Sequence, residues 1–341
     1  MFFCVLGAIS SRGIQLHLMA VHFHGLAETS SAIRRIQRFL REQVIDYKAL
    51  AQGIMSVLPL PATFDIVIDR TNWQFGSCPV NFLVLSVTLW GKQAIPLFWK
   101  ALPKKGASNG QEQCDLLQGF LDVFGHERIL SLTADREFVS NKWLMFLHTH
   151  GIPFYIRLRQ GRLVEWGGVS GSPLREFFDH LGSREKRLLH KEIVSVPVVI
   201  AGTRSSQGDL VLVATNQTHL KAGKILNVYR RRWAAEPQFR NTKTAGSNFE
   251  DTHIKAPEKL EKLMAITAVA IALCVCNGQE QERLKPTPYK KTIRTCLYST
   301  FRRGFDFLRK WLSKNMHLEE VTMLFDSLKN SPSKPFLKSV V

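Results

Sequence analysis

The sequence predicts an α/β protein in which a mixed β-sheet is flanked by helices. Its 341 residues are 45% hydrophobic, which is enough for a substantial core. Short apolar runs rich in β-branched residues occur between residues 64 and 160, and helical patterns alternate with them. Their order, strand, strand, strand, helix, strand, helix, strand, is typical of a mixed sheet with helices on its faces.

The first part of the chain, residues 1–58, is predicted to be helical. The segment "ETSSAIRRIQRFLRE" has apolar residues at helical spacing, and Ser30 or Ser31 is the expected N-cap. Four arginines fall mostly off this apolar stripe: Arg34, Arg35, Arg38 and Arg41. Phosphate contacts and a solvated basic face explain them about equally well. Pro59 and Pro61 mark the boundary of this region.

The runs "TFDIVIDR", "NFLVLSVTLW" and "AIPLFW" predict three antiparallel strands, with a turn in "NWQFGSCPV". A helix, the strand "RILSLTAD", a second helix and the strand "PFYIRLRQ" follow. Strand-like runs among glycine-rich turns predict a β-rich insertion, and the chain then becomes helical through 224–243 and 257–277. The predicted regions are 1–58 (helical), 59–161 with 218–280 (core), 162–217 (insertion) and 281–341 (basic and helical).

The charge balance indicates a polyanionic partner. There are 46 Lys and Arg residues against 28 Asp and Glu, which gives a formal net charge of +18. Such a surplus disfavours a compact state unless an anion offsets it, and nucleic acid is the first candidate. The excess is greatest in a run where Asp306 is the only acid: Arg283, Lys285, Lys290, Lys291, Arg294, Arg302, Arg303, Arg309, Lys310 and Lys314. DNA contact and a soluble basic surface are equally good interpretations of this run.

Cysteine usage and hydropathy argue against export. The six cysteines form no C-x-x-C pair and no zinc spacing, which fits a reduced cytoplasm. The longest apolar stretch, Met264 to Cys276, is shorter than the ~20 residues of a membrane span and predicts a buried helix. The first residues, "MFFCVLGAISSRG", lack a secretory signal and resemble the middle of a helix. The pairs His22 and His24, and His148 and His150, lie in no ligand cluster.

Two aspartates are placed at the ends of predicted strands. Asp69 ends "FDIVID" and Asp135 ends "LSLTAD", and an arginine follows each of them. A carboxylate in this position can project into a crevice while the strand holds its backbone still. Either residue alone is more often an ordinary turn or helix-cap residue. Together they suggest a paired site.

Glu236 is the third acidic candidate, within the basic segment "YRRRWAAEPQFRNTK". On a continuous helix, Tyr229, Arg232, Glu236 and Lys243 would share one face. Hard cations such as Mg²⁺ bind carboxylates and phosphate oxygens, so three acids could form a metal site. The alternative is an exposed basic face with Glu236 paired to Arg232 or Arg240. Pro237 predicts a kink or a helix start at this point.

Four motifs in matching order resemble the insertion-sequence transposases of family four, a DDE cut-and-paste family. The spacing Tyr-x2-Arg-x3-Glu-x6-Lys, from Tyr229 to Lys243, matches that family's signature throughout. "DRTNW" at 69–73 and "ADREF" at 134–138 resemble the segments that carry the two catalytic aspartates. "FEDTHI" at 249–254 resembles a segment that follows the glutamate. The resemblance covers about residues 30–311.

The resemblance implies a helical DNA-binding region at residues 1–58, a ribonuclease-H-like catalytic core, and a metal-binding catalytic triad of Asp69, Asp135 and Glu236. It implies Mg²⁺ as cofactor, which Mn²⁺ can replace, with two ions at the site. Tyr229, Arg232, Arg240 and Lys243 would contact the phosphates of the transposon end. Trp233 would stack on an unpaired base, although a core tryptophan is at least as good an interpretation.

The implied activity is DNA transposition through metal-dependent phosphodiester hydrolysis and strand transfer. The implied partners are double-stranded transposon ends and target DNA, bound by a dimer in the cytoplasm at the nucleoid, without a membrane. One alternative is an inactive or repurposed relative that binds DNA without cutting it. A basic packaging protein for RNA or DNA is a third interpretation, which the organised β-core and the paired aspartates disfavour.

Overall fold

The computed structural model describes residues 1–23, 28–75, 78–89, 93–166, 169–193, 196–205, 207–234, 236, 249, 252–290 and 295–314. Side chains at 73–75, 78, 165–166, 169–170, 234, 290 and 295 are not described. The remaining residues, which include Pro237, Arg240 and Lys243, lie outside the described part of the chain.

Eight strands form one mixed sheet, in the order β3-β2-β1-β4-β5-β10-β9-β8. They are β1 (Phe64–Phe75), β2 (Cys78–Leu89), β3 (Gln93–Ala101), β4 (Ile129–Ala134), β5 (Phe154–Arg157), β8 (Lys186–Ile193), β9 (Val196–Arg204) and β10 (Leu210–Thr215). Strands β1 to β3 form the expected antiparallel meander, and β4 and β5 run parallel to β1. The order β3-β2-β1-β4-β5 with these directions is the ribonuclease-H-like arrangement, so the predicted fold class is confirmed.

The segment 162–217 is rich in strands, as expected. Strands β6 (Leu163–Trp166) and β7 (Val169–Pro173) form a small hairpin sheet of their own. Strand β10 pairs antiparallel with β5, so β10, β9 and β8 continue the main sheet beyond the core. A further two-stranded sheet is formed by β11 (Tyr289–Lys290) and β12 (Thr295–Cys296). The boundaries of the four predicted regions stay a prediction.

Nine α-helices of the described residues surround the sheet. They are α1 (Phe2–Ser11), α2 (Leu16–Val21), α3 (Thr29–Glu42), α4 (Tyr47–Val57), α5 (Gly110–Phe124), α6 (Asn141–Thr149), α7 (Ala222–Tyr229), α8 (Pro257–Leu284) and α9 (Thr300–Lys314). Helix α5 begins with a capping box between Asn109 and Glu112, and Ser140 caps α6. These polar caps explain why α5 and α6 begin where they do.

Helix α8 lies at the centre of the larger core. Among the described helices it alone is long and apolar enough to cross a membrane, but 78% of its apolar window is buried inside the protein. It packs on β3, α1, α3 and α4, and α9 crosses it. At the crossing, a Cβ on Gly278 would lie 1.8 Å from the carbonyl oxygen of Thr300. Only the absence of a side chain permits so close an approach.

A smaller core covers the other face of the sheet. Helix α7 packs its buried residues Ile225, Leu226, Val228 and Tyr229 on Tyr155, Val199, Ala201 and Val213 of β5, β9 and β10. Tyr155 pairs with Thr133 of β4, which in turn pairs with Val67 of β1. Because paired residues point to one side of a sheet, the odd-numbered residues of β1 share the face that α7 covers.

Three predictions of local structure are wrong. Ser30 and Ser31 lie inside α3, which has Glu28 at its N-cap and no side-chain cap. The expected turn in "NWQFGSCPV" is largely strand, because β1 continues to Phe75 through pairing with β2 after β4 has ended. The α-helix that begins at Ala222 ends at Tyr229, and residues Arg230–Ala234 form a 3-10 turn. The kink or helix start that was predicted at Pro237 lies outside the described residues.

Candidate active site

The sheet places Asp69 and Asp135 side by side. Ile68 of β1 pairs with Ala134 of β4 in parallel register, and each aspartate is the next residue of its chain. Neighbouring strands are about 4.8 Å apart, and both carboxylates extend to the face that α7 covers. Asp135 follows the end of β4 as predicted, whereas Asp69 lies within the longer β1. The sequence motifs therefore meet where the parallel pairing ends.

Asp69 is a buried carboxylate with two donors. The backbone N–H of Arg70 donates to its Oδ1 at 2.8 Å, and Nη1 of Arg232 donates to its Oδ2 at 3.0 Å. Burial raises the pKa of Asp69 to about 6, although Arg232 and the Arg70 N–H oppose this shift. The negative charges of Asp135 and Glu137 raise it further. Asp69 therefore favours its protonated form below about pH 6 and needs a nearby cation to stay ionised.

Asp135 has an oxygen without a hydrogen-bond partner. Its Oδ1 is buried and accepts no hydrogen bond from any described residue. A buried acceptor that is left unpaired costs about 1–3 kcal/mol, so such an atom calls for an explanation. Its charge also acts on Tyr229, whose pKa is raised to about 12 by burial first and by Asp135 in addition.

Arg232 joins the third acidic candidate to the first. Its side chain is only 10% exposed, and its Nη2 donates to Oε1 of Glu236 at 3.1 Å while Nη1 holds Asp69. The Glu236 side chain is 61% exposed. In the described residues, no three His, Cys, Asp or Glu side chains come close enough to hold a metal ion together. Glu236 therefore forms an ion pair with Arg232, which the sequence interpretation gave as the alternative to a metal site.

The neighbours of Arg232 differ in exposure. Tyr229 is 5% exposed and lies under the Arg232 guanidinium, with 6.0 Å from the guanidinium carbon to the ring centroid. Trp233 is 56% exposed, so it is not a core tryptophan. The structure therefore brings Tyr229, Arg232 and Glu236 together with Asp69 and Asp135. Arg240 and Lys243 lie outside the described residues.

A second ion pair, which the sequence did not reveal, braces the loop behind Asp135. Arg70 Nε lies 3.0 Å from Oε1 of Glu137, and Arg70 Nη1 donates to Asn81 at 3.2 Å. The Asn81 amide in turn donates to the carbonyls of Lys104 and Gly106. This network fixes the backbone beside both aspartates. The available sequence signal for this network was Glu137, which lies two residues after Asp135 in "ADRE".

A third ion pair anchors the 3-10 turn one residue before Arg232. Arg231 Nη1 lies 2.5 Å from Oδ2 of Asp65, and the hydroxyl of Ser131 donates to Oδ1 of Asp65 at 2.5 Å. Asp65 and Asp69 are four residues apart on one strand and therefore point to the same face. Two consecutive arginines thus bind two aspartates of β1. The available sequence signal for Asp65 was its even separation from Asp69 in one predicted strand, which indicates that the two side chains share a face.

The paired aspartates fit a divalent cation of the hard type. Their donors are carboxylate oxygens, which Mg²⁺ and Mn²⁺ prefer, and one of these oxygens is buried without a partner. Burial first, and the nearby charges of Asp135 and Glu137 in addition, raise the pKa of Asp69, so a bound cation would favour its ionised form. Asp69 and Asp135 would hold the ion from adjacent strands. Glu236 is connected to Asp69 by two hydrogen bonds, both donated by Arg232.

Comparison with known proteins gives one family match. Residues 104–273 match the family model of the transposase DDE domain. No curated protein sequence matches the chain.

Two solved structures show limited similarity. One is the piggyBac transposase in a synaptic complex with hairpin DNA, at 10% identity and a TM-score of 0.47, over 96% of this chain and 74% of that one. The other is endonuclease V from Bacillus subtilis, at 8% identity and a TM-score of 0.28, over 72% of this chain and 92% of that one.

Proposed function

We propose that the chain is a DNA transposase that cuts and joins the ends of an insertion sequence, and the match of residues 104–273 to the family model of the transposase DDE domain supports this proposal. The observation that carries the proposal is the placement of Asp69 in β1 beside Asp135, which directly follows the parallel neighbouring strand β4. A carboxylate pair with one unsatisfied buried oxygen suits metal-dependent phosphoryl transfer.

Asp69, Asp135 and Glu236 form the proposed catalytic set, and they would hold Mg²⁺, or Mn²⁺ in its place, as two ions. When bound, the metal supplies an activated attacking oxygen and stabilises the leaving oxygen of an in-line displacement. Asp69 and Asp135 contribute the fixed part of the site, since their strands hold the backbone. Glu236 contributes the adjustable part, because its single described partner is Arg232 and most of its side chain is exposed.

Arg232 has two roles in this proposal. It neutralises Asp69 and Glu236 in the protein alone, and its guanidinium then binds phosphate oxygens of the DNA when the carboxylates receive a cation. Tyr229 lies beneath it and fixes its orientation. The exposed Trp233 is placed to stack on a base of the transposon end. Arg240 and Lys243 complete the proposed phosphate contacts.

The proposed substrates are double-stranded transposon ends and target DNA, bound by two copies of the chain because two ends must be joined. The proposed location is the cytoplasm, at the nucleoid. We also propose that the predicted regions act as units, with 59–161 and 218–280 as the catalytic core. The net charge of +18 supports a polyanionic partner.

Nicking of labelled DNA tests the activity. The substrate is a duplex made from the DNA that flanks the gene, incubated with Mg²⁺ or Mn²⁺. We expect strand cleavage by the wild type and a loss of at least 100-fold in Asp135→Asn, because one metal ligand is removed. Asp209→Asn, at an exposed aspartate of a distant loop, is the control that keeps activity. Equal cleavage by wild type and Asp135→Asn would overturn the assignment.

DNA binding without cleavage is the second candidate function. The pairing of Arg232 with Glu236 favours it, because in this arrangement Glu236 is held by an arginine rather than beside the aspartates. Salt-dependent binding of the same duplex, without strand cleavage in the presence of Mg²⁺ or Mn²⁺, would establish this function in place of the first.

A further inference from the structure

Asp65 lies where β1 is held on both sides. It pairs with Thr88 of β2 and with Ser131 of β4. The hydroxyl of Thr88 donates to its carbonyl oxygen at 3.3 Å, and the hydroxyl of Ser131 donates to its Oδ1 at 2.5 Å. The Asp65 side chain is only 12% exposed. Both the backbone and the carboxylate of Asp65 are therefore fixed within the sheet.

Arg231 binds the other oxygen of this carboxylate. Its Nη1 donates to Oδ2 of Asp65 at 2.5 Å, while Ser131 holds Oδ1. Both oxygens of Asp65 thus have a donor, whereas Oδ1 of Asp135 has none among the described residues. Asp65 is therefore a satisfied carboxylate that the protein uses as an anchor for an arginine.

The 3-10 turn after α7 is attached to β1 at two points. Arg231 binds Asp65, and the next residue, Arg232, binds Asp69. The two aspartates are four residues apart on one strand, which is a separation of about 13 Å. Attachments so far apart fix both the position and the direction of the turn, whereas a single one would let it pivot. Glu236 comes two residues after the turn, so its placement depends on both attachments.

The two attachments differ in what the proposed reaction does to them. Arg232 also binds Glu236, and its carboxylate partners are the residues that receive the cation in the proposed function. Asp65 is not a member of that set, so no cation competes with Arg231 for it. Among the described residues of the turn, the ion pair of Arg231 with Asp65 is then the one that still joins the turn to β1.

We propose that Arg231 and Asp65 are positioning residues, which keep the turn before Glu236 on β1 while Arg232 exchanges Asp69 for DNA phosphate. The turn pivots about Arg231 during this exchange, and Glu236 stays within reach of the sheet. The inference rests on the proposed function for the exchange itself. It adds an anchor that lies outside the catalytic set.

Hydrogen exchange of the turn tests the anchor without any cleavage. Asp69→Ala removes the partner of Arg232 on β1 and so imitates its release. In this variant the amides of Arg230–Ala234 should exchange at most about threefold faster than in the wild type, because Asp65 still holds the turn. In Asp69→Ala/Asp65→Ala they should exchange about tenfold faster or more. Equal exchange in the single and the double variant would overturn the proposal.

A second pair of variants removes the same attachments from the other side. Asp69→Ala/Arg231→Gln should exchange as fast in the turn as Asp69→Ala/Asp65→Ala, since either change breaks the same ion pair. Exchange of the buried amides of α8 in the same samples reports whether each variant is folded. A folded Asp69→Ala/Arg231→Gln whose turn exchanges like that of Asp69→Ala would contradict the anchor.

Cleavage kinetics test the role of the anchor in the reaction. With the labelled duplex and Mn²⁺, Asp65→Ala should lower kcat about tenfold or more, because Glu236 is misplaced, and change KM less than about twofold. Glu112→Gln is the matched control. It breaks an ion pair with Lys104 whose side chains are 18% and 36% exposed, close to the 12% and 35% of Asp65 and Arg231, and it should keep the wild-type kcat.

Two kinetic outcomes would overturn the positioning role. An equal loss of kcat in Glu112→Gln and Asp65→Ala would show a general effect of lost stability. A lower KM in Asp65→Ala would show that Asp65 restrains Arg231 from binding DNA. A conservative change gives a further check, since Arg231→Lys keeps the charge and should lose less kcat than Arg231→Gln.

The failure of this proposal can be told from that of the catalytic one. A wild type that does not cut the duplex overturns the proposed function, and the exchange of the turn then still decides whether the anchor holds it. Cleavage by the wild type, together with equal exchange in Asp69→Ala and Asp69→Ala/Asp65→Ala, would overturn the anchor alone.

Discussion

Arg232 Nη1 lies 3.0 Å from Oδ2 of Asp69, and both side chains are largely buried. The arginine is 163 residues away from the aspartate in the sequence, so the pair joins the 3-10 turn after α7 to β1. A buried charge that loses its partner is strongly destabilised. The ionisation of Asp69 therefore depends on Arg232 whenever no other cation is present.

Arg232→Ala should raise the pKa of Asp69 above its present value of about 6, because the main opposing charge is removed. The acid limb of the pH–rate profile for nicking should then move to higher pH. Arg232→Lys should move it less, since a positive charge remains. Arg230→Ala, at an exposed neighbour, is the control for a general effect on the turn. An acid limb at the same pH in Arg232→Ala would refute the dependence.

Asp69 should make the metal-free protein less stable as pH rises from 4 to 6. Its pKa in the folded protein, about 6, lies above the model value of 3.8, so the folded state keeps the proton longer than the unfolded state. Raising the pH through this window should lower the free energy of unfolding by up to ~3 kcal/mol. Urea denaturation at several pH values measures it.

The variant Asp69→Asn isolates this effect, because the other carboxylates titrate equally in both proteins. The stability of the variant relative to the wild type should increase between pH 4 and 6 and be constant below pH 3.8. Added Mg²⁺ should reduce the difference, since it stabilises the ionised aspartate. A constant difference over the whole range would show that Asp69 is not buried as described.

Gly278→Ala should destabilise the protein by about 3 kcal/mol or more, because the new Cβ would overlap the Thr300 carbonyl and force α9 away from α8. Gly223→Ala is the matched control. There the Cβ meets only the end of the Lys186 side chain, at 3.6 Å, in the partly exposed first turn of α7. This control should be neutral or stabilise by about 0.5–1 kcal/mol. Thermal unfolding of both variants compares them, and similar melting temperatures would contradict the described crossing.

Arg303→Ala should reduce stability by about 1–3 kcal/mol and leave DNA binding unchanged. Arg303 donates to Glu282 and Thr287, and also to the carbonyls of Gln281 and Lys285 at the end of α8. Its side chain is 16% exposed, so it is a helix cap rather than a DNA contact. Urea denaturation and duplex binding are the two measurements. Weakened binding at full stability would reverse this assignment.

Local patterns predicted the parts of the fold that depend on neighbouring residues. The strands at Asp69 and before Asp135 were predictable because their apolar runs are short, rich in β-branched residues and bounded by turn signals. The buried helix from Met264 was predictable from hydropathy for the same reason. The pairing of the two aspartates was predicted from their positions at strand ends; β1 and β4 are parallel neighbours, but Asp69 lies within β1 rather than at its end.

Long-range partnerships were not predictable from these patterns. Arg231 and Asp65 are 166 residues apart, and Arg70 and Glu137 are 67 apart, so no spacing rule connects them. Within the basic run from Arg283 to Lys314, the sequence did not reveal that Arg303 binds the carboxylate of Glu282 and the carbonyl oxygen of Gln281. The length of β1 depended on pairing with β2, which a single strand's composition does not reveal.

The central position of α8 has a consequence for synthesis of the chain. Four of its packing partners, α1, α3, α4 and β3, precede it, so a ribosome has already made these apolar surfaces before residue 257 is translated. Until α8 emerges they have nothing to cover them, and α8 itself has the composition of a membrane segment. We therefore expect a nascent chain of residues 1–256 to bind chaperones strongly and to aggregate on release, while the chain through α8 stays soluble.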